Sequence, residues 1–165
     1  MSSLHGNIRT NLVSAKRAIL GAFAAIALIA SAGAAHAAAT VSADPKQKVE
    51  IVIDKSTQRM TVYVGGEKRH VFVVSTGRAG YATPSGSFRP SSMHPMAISV
   101  KYGNTPMPHT IFFTSVGHAI HATTAIAQLG RVASHGCIRL SPADAKTVYA
   151  LVKEKGLANT SIKIV

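Results

Sequence analysis

The chain holds one cysteine, Cys137, in the segment ASHGCIRL, residues 133–140. A thiolate is a far better nucleophile than a thiol and a free cysteine titrates at about pH 8.5, so a catalytic cysteine needs a base or positive surroundings. Gly136 leaves room for a substrate to approach the backbone, and it lets the amides of Gly136 and Cys137 point at one oxyanion. Arg139 lies on the same side as Cys137 if the segment is extended, where it favours the thiolate or binds a substrate carboxylate. His121 and His135 are the candidate bases. His135 shares a short stretch of backbone with the sulfur and is constrained by it, whereas His121 arrives from a different strand and can face the sulfur freely, so His121 is favoured. The acid nearest to these residues is Asp144, which reads as a helix-cap residue, so a backbone carbonyl is the expected orienter of the imidazole. The competing reading is a small buried hydrophobe, the usual fate of a free cysteine.

His118-x-x-His121 and His135-x-Cys137 have the look of paired zinc ligands. On a strand, residues three apart face opposite sides, and GHAIHATT reads poorly as a helix. No metal or other cofactor is assigned, and His118 is expected to face away from His121.

These groups must be held by a mostly β domain. EIVID and RMTVYV alternate and are rich in β-branched residues, and Gly65-Gly66 joins the latter to EKRHVFVVS as a hairpin. TGRAGYATPSGSFRPSSMHP is dense in Gly, Pro, Ser and Thr and is expected to be a long surface loop; loops beyond about 12–15 residues are usually functional or disordered. Short strands are expected in AISVKYG, TIFFTSVG and HAIHATT. Ser141 then caps a helix with Pro142 at its first position and Asp144 three residues past the cap. Ala145, Val148, Tyr149 and Val152 recur at helical spacing, Gly156 ends the element, and SIKIV closes as a strand.

IHAT, followed by ASHGCIRL and SPADA, resembles the signature of the L,D-transpeptidase catalytic domain (YkuD-type, ErfK/YbiS-like), and STGRAGYATPSGSF and YGNTPMPHTIFF are similar to its upstream segments. The motifs run in order over about Val49 to Leu140. The resemblance implies a β-sandwich-like fold and an enzyme acting on peptidoglycan stem peptides. The cysteine attacks the carbonyl of the third stem residue, D-alanine leaves, and a thioester forms; an amine of another stem, or of a lipoprotein or outer-membrane protein, then takes the acyl group. By position, Cys137 is the nucleophile, His121 the general base, and Gly136 with Cys137 the oxyanion site. The Ala122 carbonyl stands near the orienter position; Ser134, His135 and Arg139 shape the pocket; and Tyr102, Met107, Pro108 and His109 line the donor groove. Ala122 departs from the glycine that many members carry. An L,D-carboxypeptidase or crosslink hydrolase would use the same site, and a non-catalytic wall-binding module is the reading of another class.

Arg9, Lys16 and Arg17 precede an apolar run, AILGAFAAIALIA, that leads to Ala35-His36-Ala37. This is the pattern of a secretory signal peptide over residues 1–37, with an uncleaved anchor as the alternative. Residues 38–49 read as a linker and 50–165 as the catalytic domain. Cleavage of residues 1–37 from 165 leaves 128, enough for one core. The net charge of +12 falls to +9 on losing those three cations. Basic residues are scattered, so the charge points to an anionic envelope, or simply to solubility, and not to nucleic acid. The expected location is the periplasm, in association with the cell wall. An exposed low-pKa thiol there is prone to oxidation, which implies a thiol-reducing partner.

Overall fold

The computed structural model describes residues 48–165. The expected signal peptide, and the linker up to residue 47, lie outside the described residues. Strand β1 (Val49–Asp54) starts one residue inside the expected linker. It pairs antiparallel with β2 (Arg59–Val64), which turns through Gly65-Gly66 into β3 (Glu67–Val73). Alternation drives this hairpin sheet: Val49, Ile51, Ile53, Met60 and Val62 are all completely buried. The Asp54 carboxylate closes the first turn by accepting from Ser56 N, Ser56 Oγ and Thr57 N, bonds that lower its pKa to about 2.

The Gly/Pro-rich middle is not one long loop. It carries β4 (Gly86–Phe88), and β5 (Ser92–Ser99) begins well before AISVKYG. Both are edge strands, where low strand propensity and a proline such as Pro95 are tolerated because one side of the backbone needs no ladder partner. A single 3-10 turn, Val100–Tyr102, follows. Next come β6 (Thr105–Phe112) and β7 (Ala119–Ala122). Strand β6 also starts earlier than its apolar run. Pro106 and Pro108 fit there because β7 pairs with it only at Ile111 and Phe112, which leaves the earlier part of β6 bonded to β5 alone.

Strand β8 (Ile138–Leu140) runs parallel to β7. Helix α1 (Pro142–Lys155) begins as expected, with Ser141 Oγ accepting from Asp144 N, and ends at Gly156. Strand β9 (Thr160–Ile164) returns to lie parallel to β1. The two sheets, ordered β3-β2-β1-β9-β4 and β5-β6-β7-β8, share one core with α1, which buries Ala145, Val148 and Val152 beside Ile51, Ile120, Ile138, Leu140 and Ile162. This is the mostly β, two-sheet architecture that the sequence implies.

Candidate active site

The parallel register sets His121 opposite Arg139 and Ile120 opposite Ile138. Ile120, Ile138 and Leu140 point into the core. By strand parity His121 and Arg139 therefore share the other face, and Cys137 stands in the bend just before β8. That face is the floor of a cavity of about 630 Å³, lined by Cys137, His121, His135, Arg139, Tyr102, Met107, His118 and Tyr81 among others. A second cavity of about 390 Å³ shares Thr105, His121 and Arg139 with the first and is lined also by Pro108, Ala122, Thr123, Gln128 and Pro142.

His121 is only 6% exposed. Its Nδ1 stands 2.7 Å from the Ala122 carbonyl oxygen. A carbonyl can only accept, so Nδ1 carries the proton and Nε2 keeps its lone pair. Burial, reinforced by the Arg139 charge, holds the pKa at about 4 against the pull of the Ala122 carbonyl. The imidazole is neutral at neutral pH.

Cys137 is half-buried and free, and its thiol points to the Gly117 carbonyl, 3.9 Å away. Burial pushes its pKa up, opposed by the Ala119 amide and the Arg139 charge. Arg139 therefore acts in the expected direction without making the resting group a thiolate; burial wins. The guanidinium is held by Gln128, Nη1 to Oε1 being 2.9 Å.

The turn that presents the sulfur is tied from behind. Ser134 is fully buried; its Oγ donates to the Cys137 carbonyl and accepts from Gly136 N at 3.1 Å. The Gly136 amide is thus engaged within the turn, whereas the sequence leads one to expect it free to join Cys137 as a pair of oxyanion donors. Gly136 sits at φ +109°, a conformation that L side chains rarely adopt, and a β-carbon there would lie 2.9 Å from the His118 ring. Thr83, buried in the Gly-rich segment, accepts from Gly77 N and donates to the Gly136 carbonyl, both at 2.9 Å. Ser75 and Arg139 exchange two backbone bonds, and Arg78 N donates to the Ser134 carbonyl. The segment after β3 is therefore a brace for the cysteine turn.

His135 also lines the larger cavity, held among aromatic neighbours. Tyr102 stacks on it at 4.6 Å, Tyr81 meets it edge-on at 4.7 Å, and Arg78 Nη1 lies 3.5 Å from its Nδ1. Burial and the charges of Arg78, Arg139 and Lys101 lower its pKa. Tyr102 reaches the cavity from the 3-10 turn rather than from a strand edge, and Met107 reaches it from β6. His109 is not brought to either cavity. At φ +56° in β6 it turns toward α1 and packs edge-on against Tyr149, 5.6 Å between ring centres.

His118 is the residue that the sequence reading places wrongly. Strand β7 begins only at Ala119, so the parity argument that turns His118 away does not reach it, and its ring lines the larger cavity with Cys137 and His121. Tyr81, Thr83 and Gln128 are also missed: their signal lies in long-range packing and not in local spacing.

The chain matches the family described as L,D-transpeptidase catalytic domain (YkuD) over residues 48–164. No curated protein matches its sequence. Among solved structures it is similar to an L,D-transpeptidase from Mycobacterium tuberculosis H37Rv at 27% identity and TM-score 0.63, over 71% of this chain and 57% of that one. It is also similar to an L,D-transpeptidase from Stackebrandtia nassauensis at 26% identity and TM-score 0.63, over 72% and 55%. With an L,D-transpeptidase from Mycobacterium smegmatis it shares the fold at 24% identity and TM-score 0.65, over 72% and 58%. The chain spans less than two thirds of the length of these structures. The chain belongs to the YkuD family of L,D-transpeptidase catalytic domains.

Proposed function

We propose that the chain is an L,D-transpeptidase whose nucleophile is Cys137 and whose general base is His121. The observation that carries this reading is the imidazole fixed by the Ala122 carbonyl with a free Nε2, lining the same cavity as the only thiol. Both groups are neutral at rest, so the proton moves during attack and not before it. The Cys137 Sγ–H proton passes to His121 Nε2 as sulfur bonds to the carbonyl carbon of the third stem residue. The carbonyl electron pair becomes an oxyanion facing the Cys137 amide. Collapse expels D-alanine, whose amine takes the proton from His121, and leaves a thioester. An acceptor amine then attacks the thioester, gives its proton to His121, and releases the thiol.

Two cavities that meet at His121 and Arg139 suit a reaction with two peptide partners, and they favour transfer to an amine over hydrolysis. The acceptor is a second stem peptide or a protein amine on a lipoprotein or outer-membrane protein. No lining residue of the larger cavity is acidic, whereas Lys101 and Arg139 line it, which suits a donor rich in carboxylates. Residues 1–37 would act as the signal peptide that delivers residues 50–165 to the periplasm and the wall. The raised thiol pKa slows oxidation and lessens the need for a reducing partner.

Incubation of the full chain with a disaccharide-tetrapeptide, with intact masses recorded beside Cys137→Ala, tests the reading. The parent is expected to gain an acyl adduct and yield crosslinked dimer; tripeptide alone would mark a carboxypeptidase. D-alanine release by Cys137→Ala at the parent rate would end the cysteine mechanism.

A further inference from the structure

Because Ser134 engages the Gly136 amide, the turn leaves the reacting carbonyl short of a second donor, and the geometry points to His118. The His118 ring lines the cavity that holds Cys137 and His121, and it lies against Gly136: its Nε2 and Cδ2 would be 2.9 Å from a β-carbon at that position. The ring is held in place. Phe113 stacks on it at 6.2 Å, and Phe113 N donates to the His118 carbonyl at 3.0 Å. Thr114 Oγ1 accepts from His118 N at 2.9 Å and sits 3.1 Å from Nδ1. A hydroxyl has one proton to give, and Nδ1 is the acceptor it meets. With the hydroxyl proton given to Nδ1, the neutral ring carries its own proton on Nε2, which with Cδ2 forms the ring edge turned toward Gly136.

We propose that His118 Nε2–H donates a hydrogen bond to the carbonyl oxygen under attack and, with the Cys137 N–H, stabilises the oxyanion. The two histidines then have opposite tautomers and opposite tasks: His121 keeps its proton on Nδ1 and accepts at Nε2, while His118 accepts at Nδ1 and donates at Nε2. Burial and the Lys101 charge lower the His118 pKa, which keeps the ring neutral and leaves Nδ1 free to accept from Thr114. The role rests on the transpeptidase reading above.

The test measures acylation of the full chain, by intact mass, with the disaccharide-tetrapeptide and separately with a carbapenem, for parent, Cys137→Ala, His118→Leu and His118→Gln. Glutamine places an amide N–H near the Nε2 position; leucine fills the space without a donor. His118→Leu is expected to acylate about 100-fold more slowly at saturating substrate, the usual cost of removing one oxyanion donor. His118→Gln should recover at least about a tenth of the parent rate, with KM little changed in both. Equal rates for His118→Leu and parent would overturn the donor role, as would equal losses in the leucine and glutamine variants, because a purely packing role does not distinguish them. A parent that acylates no more than Cys137→Ala would sink the transpeptidase reading and the donor role with it.

Discussion

Thr83 and Gly136 stand 53 residues apart in sequence, yet the Thr83 hydroxyl donates to the Gly136 carbonyl at 2.9 Å while accepting the Gly77 amide at the same distance. One buried side chain thus joins the Gly-rich segment to the cysteine turn. Thr83→Val keeps the shape and removes both bonds, leaving the half-buried Gly77 N–H and the buried Gly136 C=O without partners. Each such group costs about 1–3 kcal/mol, the former at the low end. We expect the urea midpoint to fall by an amount corresponding to about 2–4 kcal/mol, and acylation to slow further in the protein that remains folded, because the turn behind Cys137 loses its brace.

The pH dependence follows from His121. Its pKa is about 4 in the folded chain against an ordinary value of 6.5. The base form therefore survives well into acid, and the acid limb of kcat/KM for acylation is expected near pH 4. An acid limb near pH 6.5 would show that the base is a solvated imidazole and not this buried ring. Stability moves the same way. The unfolded chain binds the proton first, so folding stability contributed by the neutral ring is complete above pH 6.5 and is lost as pH falls through 6.5 toward 4, by roughly 3 kcal/mol in all. Urea titrations at pH 7 and pH 4 measure this difference, and His121→Gln should flatten it.

At Gly136 two penalties combine. A left-handed backbone held by a non-glycine residue costs about 1–3 kcal/mol, and the new β-carbon meets the His118 ring at 2.9 Å. Gly136→Ala is expected to lose both stability and acylation. The double variant Gly136→Ala/His118→Gly removes the collision and leaves the backbone strain, so thermal stability should recover in part while acylation does not. A strictly additive double variant would show that the two residues do not touch.

The core makes a simpler prediction. Ile51 and Ile162 are partners across the parallel β1–β9 pair, and both are buried in the shared core. Ile51→Ala should cost about 2–5 kcal/mol in denaturant titrations, through lost burial and the cavity left behind. Val71→Ala, at a half-exposed position on β3, should cost well under 1 kcal/mol.

Much of this arrangement is legible in the residues. The hairpin of β1–β3 follows from alternation. The start of α1 follows from Ser141, Pro142 and Asp144, and the base and nucleophile candidates follow from residue type and strand parity. Edge strands defeat the same reasoning: β4 and β5 are built from Gly, Ser, Met, His and Pro, and their pairing with β9 and β6 compensates for weak local preference. Parity fails at His118 because it holds only inside a strand, and β7 begins one residue later. His109 follows the local spacing of its neighbours but turns away through a positive φ that no pattern marks. The engaged Gly136 amide depends on where the Ser134 hydroxyl points, which emerges only once the turn has closed.

Strand β9 is inserted between β1 and β4, so the first and last strands described are direct neighbours, Val49 beside Thr160. Nearly the whole domain must be available before this parallel pairing can close, and non-local pairing of this kind slows folding. The sheet therefore stays incomplete until Thr160–Ile164 has docked between its two neighbours. Ile162 and Ile164 of that strand belong to the core that also holds Ile138 and Leu140 beside the thiol turn, so the site is expected to take its shape late in folding.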